Sequence, residues 1–283
     1  MQGDIFPAAL RWKEGCVHTV KRILNNMVTV FVILAIFLII IPLPTWLLDM
    51  LFVINISLSL VILLITMYIK EPLEFSIFPS MLLITTIFRL GLNISSTRLI
   101  LFQQGYAGQI VKSFGQFVMK GNALIGFIVF VLITVVQMLV VTKGAERVAE
   151  VTARFTLDAM PGKQMAIDAD LNSGIINEDE AKLRRAKIQR ESDFFGAMDG
   201  ASKFVKGDAT FSIVAAIVNL IGGAIVGLVF DGMEFMDVLS TYTLSTVGDG
   251  LCSQIPALLI STSMGMIVTR SASEDSLNID IKS

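Results

Sequence analysis

An all-α polytopic membrane protein is the fold class predicted by three features of this 283-residue sequence. Hydrophobic residues make up 54% of it against 16% charged, and mean hydropathy is +0.74, too apolar for a soluble domain of this length. Apolar runs recur that are long enough to cross a bilayer at about 20 residues per span. The charge is also concentrated, with 11 of the 22 Lys and Arg and 12 of the 24 Asp and Glu in residues 143–208. About six transmembrane helices are therefore expected, with a small cytoplasmic, mainly helical subdomain between the fourth and fifth.

The same composition excludes several classes. Net charge is −2 and no basic cluster is left unmatched by acids, so nothing points to nucleic acid. Cys16 and Cys252 lie in segments of different character, which argues against a disulfide and gives no metal-ligand spacing. Gly162-Lys163 has no glycine five residues upstream and no Ser or Thr after the lysine, so it is not a phosphate loop. No cofactor, metal or enzymatic activity is expected, and the lone His18 reads as a solvated tail residue.

Residues 1–26 carry Arg11, Lys13, Lys21 and Arg22 against Asp4 and Glu14 and read as a cytoplasmic lead-in. The run MVTVFVILAIFLIII (27–41) ends at Pro42 and lacks an A-x-A cleavage pattern, so it is a retained span rather than a signal peptide. LLDMLFVINISLSLVILLITMYI (47–69) follows so soon that the two form a tight hairpin. The third segment, residues 77–102, is long enough to span yet contains Arg89, Asn93, Ser96 and Arg98. At 100° per residue Arg89, Asn93 and Ser96 share one face. A central Arg costs roughly 2.5 to 3.5 kcal/mol or more, so that face should meet protein or a wet cavity. Arg98 points nearly the opposite way and is placed to snorkel.

Residues 103–121 read as a Gln- and Gly-containing connection, partly interfacial, before the fourth span at 123–141. This closes a four-helix membrane block, 27–142. The proposed cytoplasmic parts hold 18 Lys and Arg, the proposed outside loops only Lys112 and Lys120, which sets the N-terminus inside.

The charged subdomain, 143–208, opens with Glu146, Glu150, Arg154 and Asp158 at intervals of four, one charged ladder on a helix. Val148, Val151, Phe155 and Ala159 form its expected apolar face, and Pro161-Gly162 its expected stop. A second helix follows Asn177, an N-cap with three acids in the first turn. Asp208 then stands at the mouth of ATFSIVAAIVNLIGGAIVGLVF (209–230). It is either a functional acid or, with Lys206, a marker of the headgroup boundary. Gly222, Gly223 and Gly227 suit close helix contact. Residues 238–270 are too long for one straight crossing. Gly248, Gly250 and Pro256 are expected to break that helix and place Asp249 beside a cavity; alternatively Gly248 to Gly250 lie in an outside loop. The two spans of 209–270 are followed by a cytoplasmic tail, 271–283.

Three stretches, FRLGLNISSTRLIL (88–101), AERVAEVTARFTLDAMPGKQMAIDADLNSGIIN (145–177) and DFFGAMDGASKFVKGDA (193–209), together resemble the FHIPEP family of flagellar and type III secretion export-gate proteins. The similarity runs from the first span onward. It implies a multi-pass component of the bacterial inner membrane that assembles as a homo-oligomeric ring, with nine copies expected. The implied partners are other export-gate membrane proteins, cytoplasmic export components and exported protein substrates. The implied role is coupling proton motive force to export of unfolded proteins. The charged positions that the resemblance marks are Arg147, Arg154 and Asp158, then Asp199, Lys203 and Asp208, and finally Asp249. Family members continue into a large cytoplasmic domain, so a sequence stopping at Ser283 is expected to be a fragment or a truncated paralogue.

The mechanism expected on these residues is proton binding by Asp208, with Lys203 as the cation that sets its charge balance. Neutralising Asp208 would move the 143–208 subdomain relative to the membrane. Arg89 and Asp249 are candidates for the same ion route. The alternative is a stand-alone secondary transporter or cation channel for a small solute, and a third reading is a membrane-anchored scaffold.

Overall fold

In the computed structural model, residues 29–270 are described; the expected segments 1–26 and 271–283, with Cys16 and His18, lie outside them. The architecture is all-α, with no strand among the described residues. A short apolar helix, α1 (Thr29–Ile40), precedes α2 (Thr45–Tyr68), a 3₁₀ turn (Pro72–Phe75), α3 (Phe78–Phe102), α4 (Gln109–Met119) and α5 (Ala123–Val136). A π turn (Gln137–Thr142) joins α5 to α6 (Lys143–Asn172). Helix α7 (Glu178–Ile225) ends in a second π turn (Val226–Phe230), and α8 (Phe235–Thr269) completes the described chain.

Five helical runs are long and apolar enough to cross a membrane: α2, α3, α5 with α6, α7 with its π turn, and α8. Of the run expected to span at 27–41, the described part forms α1, and residues 27 and 28 lie outside the described residues.

Local chemistry sets the element ends. Pro44 caps α2 in extended conformation, and Pro79 sits in the first turn of α3, where its missing N–H costs nothing. Between α3 and α4 the backbone reverses through Gly105 (φ 83°) and Gly108 (φ 122°), values open to glycine. Asp49 of α2 accepts from the Gln109 and Ile110 amides at 2.9 and 3.0 Å, so a carboxylate caps the start of α4. Asn122 caps α5 and Asn177 caps α7, the latter accepting from the Glu180 amide at 2.8 Å.

Helices α3 and α8 form the centre. They bury 61% and 67% of their most apolar windows, against 22% for α7 and 17% for α5, whose apolar sides face outward. Phe78, Leu82, Phe194, Phe195, Met198, Ile260 and Met264 fill one core cluster; Leu48, Phe52, Phe88, Leu92, Ile100 and Tyr242 belong to the second.

Several expectations are corrected. The charged region 143–208 is not set off by breaks: α5 runs through a π turn into α6, and α7 crosses from charged to apolar sequence without interruption. At 1.5 Å per residue each run is roughly 75 Å long, more than twice the hydrocarbon thickness. The charged halves are thus a helical hairpin growing out of two membrane helices. Pro161 and Gly162 do not stop α6. A helical proline costs about 3 kcal/mol, and contacts beyond it hold the helix on. Lys163 pairs with Glu191 at 3.0 Å, Arg184 with Asp170 at 3.2 Å, and Arg185 with Asp168, while Ile167, Ile176 and Ala181 close an apolar tip.

The packing face of α6 is also different from the expected one. Ala149 and Ala153 are buried against the Phe194, Phe195 and Met198 cluster, whereas Phe155 is 71% exposed. Small side chains win because they let α6 approach the α7 aromatics closely. Helix α8 is unbroken through Gly248, Gly250 and Pro256. Its glycines admit neighbours instead. A Cβ on Gly248 would lie 1.9 Å from the Val111 carbonyl oxygen of α4, and one on Gly250 2.3 Å from the Phe130 ring. Gly223 and Gly227 do the same for Tyr242 and Val238 of α8, and Gly222 meets Leu101 of α3; this small-residue patch packs within the chain.

Candidate functional site, a buried polar column between α3, α7 and α8

The expected polar stripe of α3 is fully inside: Arg89, Asn93 and Ser96 are buried. On α7, Asp208, Ser212 and Asn219 fall at i, i+4 and i+11, one helical face. Helices α3 and α7 run parallel, and α8 runs antiparallel beside them, bringing Asp249 and Ser253 to the same seam. The seam is a continuous column of polar contacts running through the bundle.

Its first level is an ion pair. The Arg89 guanidinium meets the Asp208 carboxylate, with only 3% and 1% of the side chains exposed. Arg89 Nε and Asp208 Oδ1 make no further hydrogen bond. The cation facing Asp208 is therefore Arg89, and not Lys203 as expected from the sequence. Lys203 lies on the exposed side of α7 and donates to Asp199 at 2.9 Å, four residues earlier. Lys206 likewise reaches Glu146 of α6 at 3.0 Å.

The middle level is a relay of short polar side chains. Asn93 Nδ2 donates to Ser212 Oγ at 3.5 Å, and the Ser212 hydroxyl donates to the Asp208 carbonyl at 3.1 Å. From α8, the Ser253 hydroxyl contacts Asn93 Oδ1 and lies 3.1 Å from the Asp249 carbonyl. At the third level the Ser96 hydroxyl donates to Asp249 Oδ1, and Asn219 Nδ2 donates to Asp249 Oδ2 at 3.3 Å. Asp249 is 4% exposed and has no cation against it among these contacts. Asp208 and Asn219 stand eleven residues apart on α7, so the two acidic levels are separated by roughly 10 to 16 Å along the helices.

Asp208, Asp249, Arg89 and Asn93 are thus brought together, and the other marked residues are not. Arg147, Arg154 and Asp158 are exposed on α6, with Arg147 held by Glu150 at 2.8 Å. Arg98 leaves the column and donates to the Ile39 and Ile40 carbonyls at 3.2 and 2.9 Å, capping the open end of α1. Arg270 does the equivalent for α2, donating to the Met67 carbonyl at 2.7 Å and to that of Ile69.

Ser212, Asn219 and Ser253 were not singled out from the sequence. The signal was present, since 208, 212 and 219 share a face as 89, 93 and 96 do, but a lone Ser or Asn in an apolar run is too common to act on without its partner helix. No group of three or more His, Cys, Asp or Glu arranged to hold a metal ion occurs among the described residues.

Residues 35–283 match the FHIPEP family. The chain belongs to the FHIPEP family. This FHIPEP chain is 58% identical over 254 residues to the flagellar biosynthesis protein FlhA of Bacillus subtilis, covering 90% of the chain and 37% of that protein. It is 52% identical over 253 residues to the low calcium response locus protein D of Yersinia pestis, covering 89% and 36%. It is 49% identical over 271 residues to the secretion system apparatus protein SsaV of Salmonella typhimurium, covering 96% and 39%. The FHIPEP chain therefore spans less than two-fifths of the length of these curated relatives. No solved structure matches it.

Proposed function

We propose that this chain is the membrane part of a bacterial protein-export gate that couples proton motive force to export of unfolded flagellar or secreted substrates. In this reading it lies in the inner membrane with its N-terminus and the α6–α7 hairpin on the cytoplasmic side. It works as a homo-oligomeric ring, with nine copies as the working number, alongside other export-gate membrane proteins and cytoplasmic export components.

The observation that carries the reading is the Arg89–Asp208 pair, because α7 runs unbroken from that pair into the charged hairpin. Protonating Asp208 removes one half of the pair and leaves a buried guanidinium without its counter-ion, which is costly in a dry interior. The cost is relieved when α7 shifts against α3, and a packed helix moves as a unit. A proton taken up at Asp208 is thereby converted into a displacement of the hairpin, where Arg147, Arg154 and Asp158 present charge to partners. Asp249, Ser96 and Asn219 form the second proton-binding level on the same column.

The deciding experiment replaces Asp208 with Asn in the full-length protein in cells. Export should stop, while the protein, destabilised because Arg89 loses its counter-ion, still accumulates and forms its oligomer. Normal export by this variant would refute the coupling role. Uptake of a small solute by vesicles holding this protein alone would instead favour the stand-alone transporter.

A further inference from the structure

Where α5 passes into its π turn, two glutamines from different helices face the column from the side. Gln137 is 6% exposed and Gln254 of α8 is 5% exposed. Their amide nitrogens are fixed: Gln137 Nε2 donates to the Gln254 carbonyl at 3.2 Å, and Gln254 Nε2 donates to Thr134 Oγ1 at 2.5 Å. Thr134 spends its own hydrogen on the Phe130 carbonyl at 2.8 Å, so it can only accept from the glutamine. These partners determine which end of each amide is nitrogen. Both amide oxygens, Gln137 Oε1 and Gln254 Oε1, have no hydrogen-bond partner.

A buried amide oxygen left unpaired costs about 1–3 kcal/mol, and here two belong to side chains that line one cavity. The cavity holds about 20 Å³ and is lined by both glutamines together with Thr134, Ala209, Ser212 and Ser253. One water needs roughly 10 to 15 Å³ and two or more polar partners.

We infer that this cavity between the α5 π turn, α7 and α8 is a binding site for a single water molecule, which donates one hydrogen to Gln137 Oε1 and the other to Gln254 Oε1. Water suits the site because what is missing is a pair of donors, and a water carries two. A monovalent metal cation suits it less, since it needs oxygen ligands on several sides, and of the side-chain polar atoms lining this space of about 20 Å³ only the two amide oxygens lack a partner. Ser212 and Ser253, the two hydroxyls that contact Asn93, line the same space. The water thus joins α5 to the middle level of the column, between the two acids. A π turn is a local widening of a helix that often accompanies a functional site, and this one sets Gln137 at the cavity wall.

The test is an experimental density map of the intact protein that resolves ordered waters, recorded in sodium buffer and again with choline replacing sodium. A peak is expected at roughly 2.7 to 3.0 Å from both amide oxygens, unchanged in choline and absent in Ala209→Val, whose added methyls occupy the space. A cavity without density in the wild-type protein overturns the inference. So does a peak lost in choline, which would mark a cation, or one that persists unmoved in Ala209→Val. None of these outcomes depends on export, so the water site can fail while the coupling role stands, and the reverse.

Discussion

Arg89 of α3 and Asp208 of α7 close a salt bridge in which neither side chain is more than 3% exposed. Breaking one side of such a pair costs about 3–5 kcal/mol because it strands the other charge, whereas replacing both by apolar groups is often neutral. Thermal unfolding of the purified protein should therefore show Arg89→Met strongly destabilised, and Arg89→Met combined with Asp208→Leu restored most of the way. Export should remain absent in both. A double variant as unstable as the single one would mean that the pair is not where the energy lies.

Asp249→Asn should keep the fold. Its amide can still accept from Ser96, and the clash of two NH₂ groups with Asn219 is removed if Asn219 turns over, since Asn219 Oδ1 has no partner of its own. The melting temperature should stay close to that of the wild type while export is lost. An unfolded Asp249→Asn protein would assign the residue a structural role instead.

The glycines of α8 should rank by what their Cβ would meet. Gly248→Ala drives a methyl into the Val111 carbonyl of α4, which is backbone and cannot yield without moving a helix; overpacking of this kind costs about 1–3 kcal/mol. Gly250→Ala meets the Phe130 ring and should cost less, because a side chain can turn away. Gly265→Ala meets nothing within 4 Å and should stabilise by about 0.5–1 kcal/mol, the helix preference of Ala over Gly. Denaturation midpoints of the three variants check the order.

Arg154 and Asp158 lie exposed on α6, so Arg154→Ala and Asp158→Ala should each change stability by no more than about 0.5 kcal/mol. If export falls while stability holds, the residues act on a partner. A large drop in melting temperature would show that they hold the hairpin.

Much of the bundle is legible in the sequence. Residues 77–102 announced a span with a polar face, and Asn177 announced a helix start, because helical periodicity and capping are local properties carried by neighbouring residues. Pro161 and Gly248 misled for the opposite reason. Their local preference is to end or break a helix, but past Pro161 the apolar tip of Ile167, Ile176 and Ala181 and the ion pairs to α7 together hold the helix on, and the close approach of α4 gives Gly248 a different purpose.

The order of residues settled that this chain is helical, membrane-spanning and of the FHIPEP family, since hydropathy, charge placement and long shared motifs are written along one dimension. Which cation faces Asp208 was beyond it. Lys203 is five residues away in the chain and Arg89 lies in another helix, and only the parallel packing of α3 against α7 puts the guanidinium on the carboxylate. Pairings between distant helices depend on how buried faces dock, and one sequence does not record that docking.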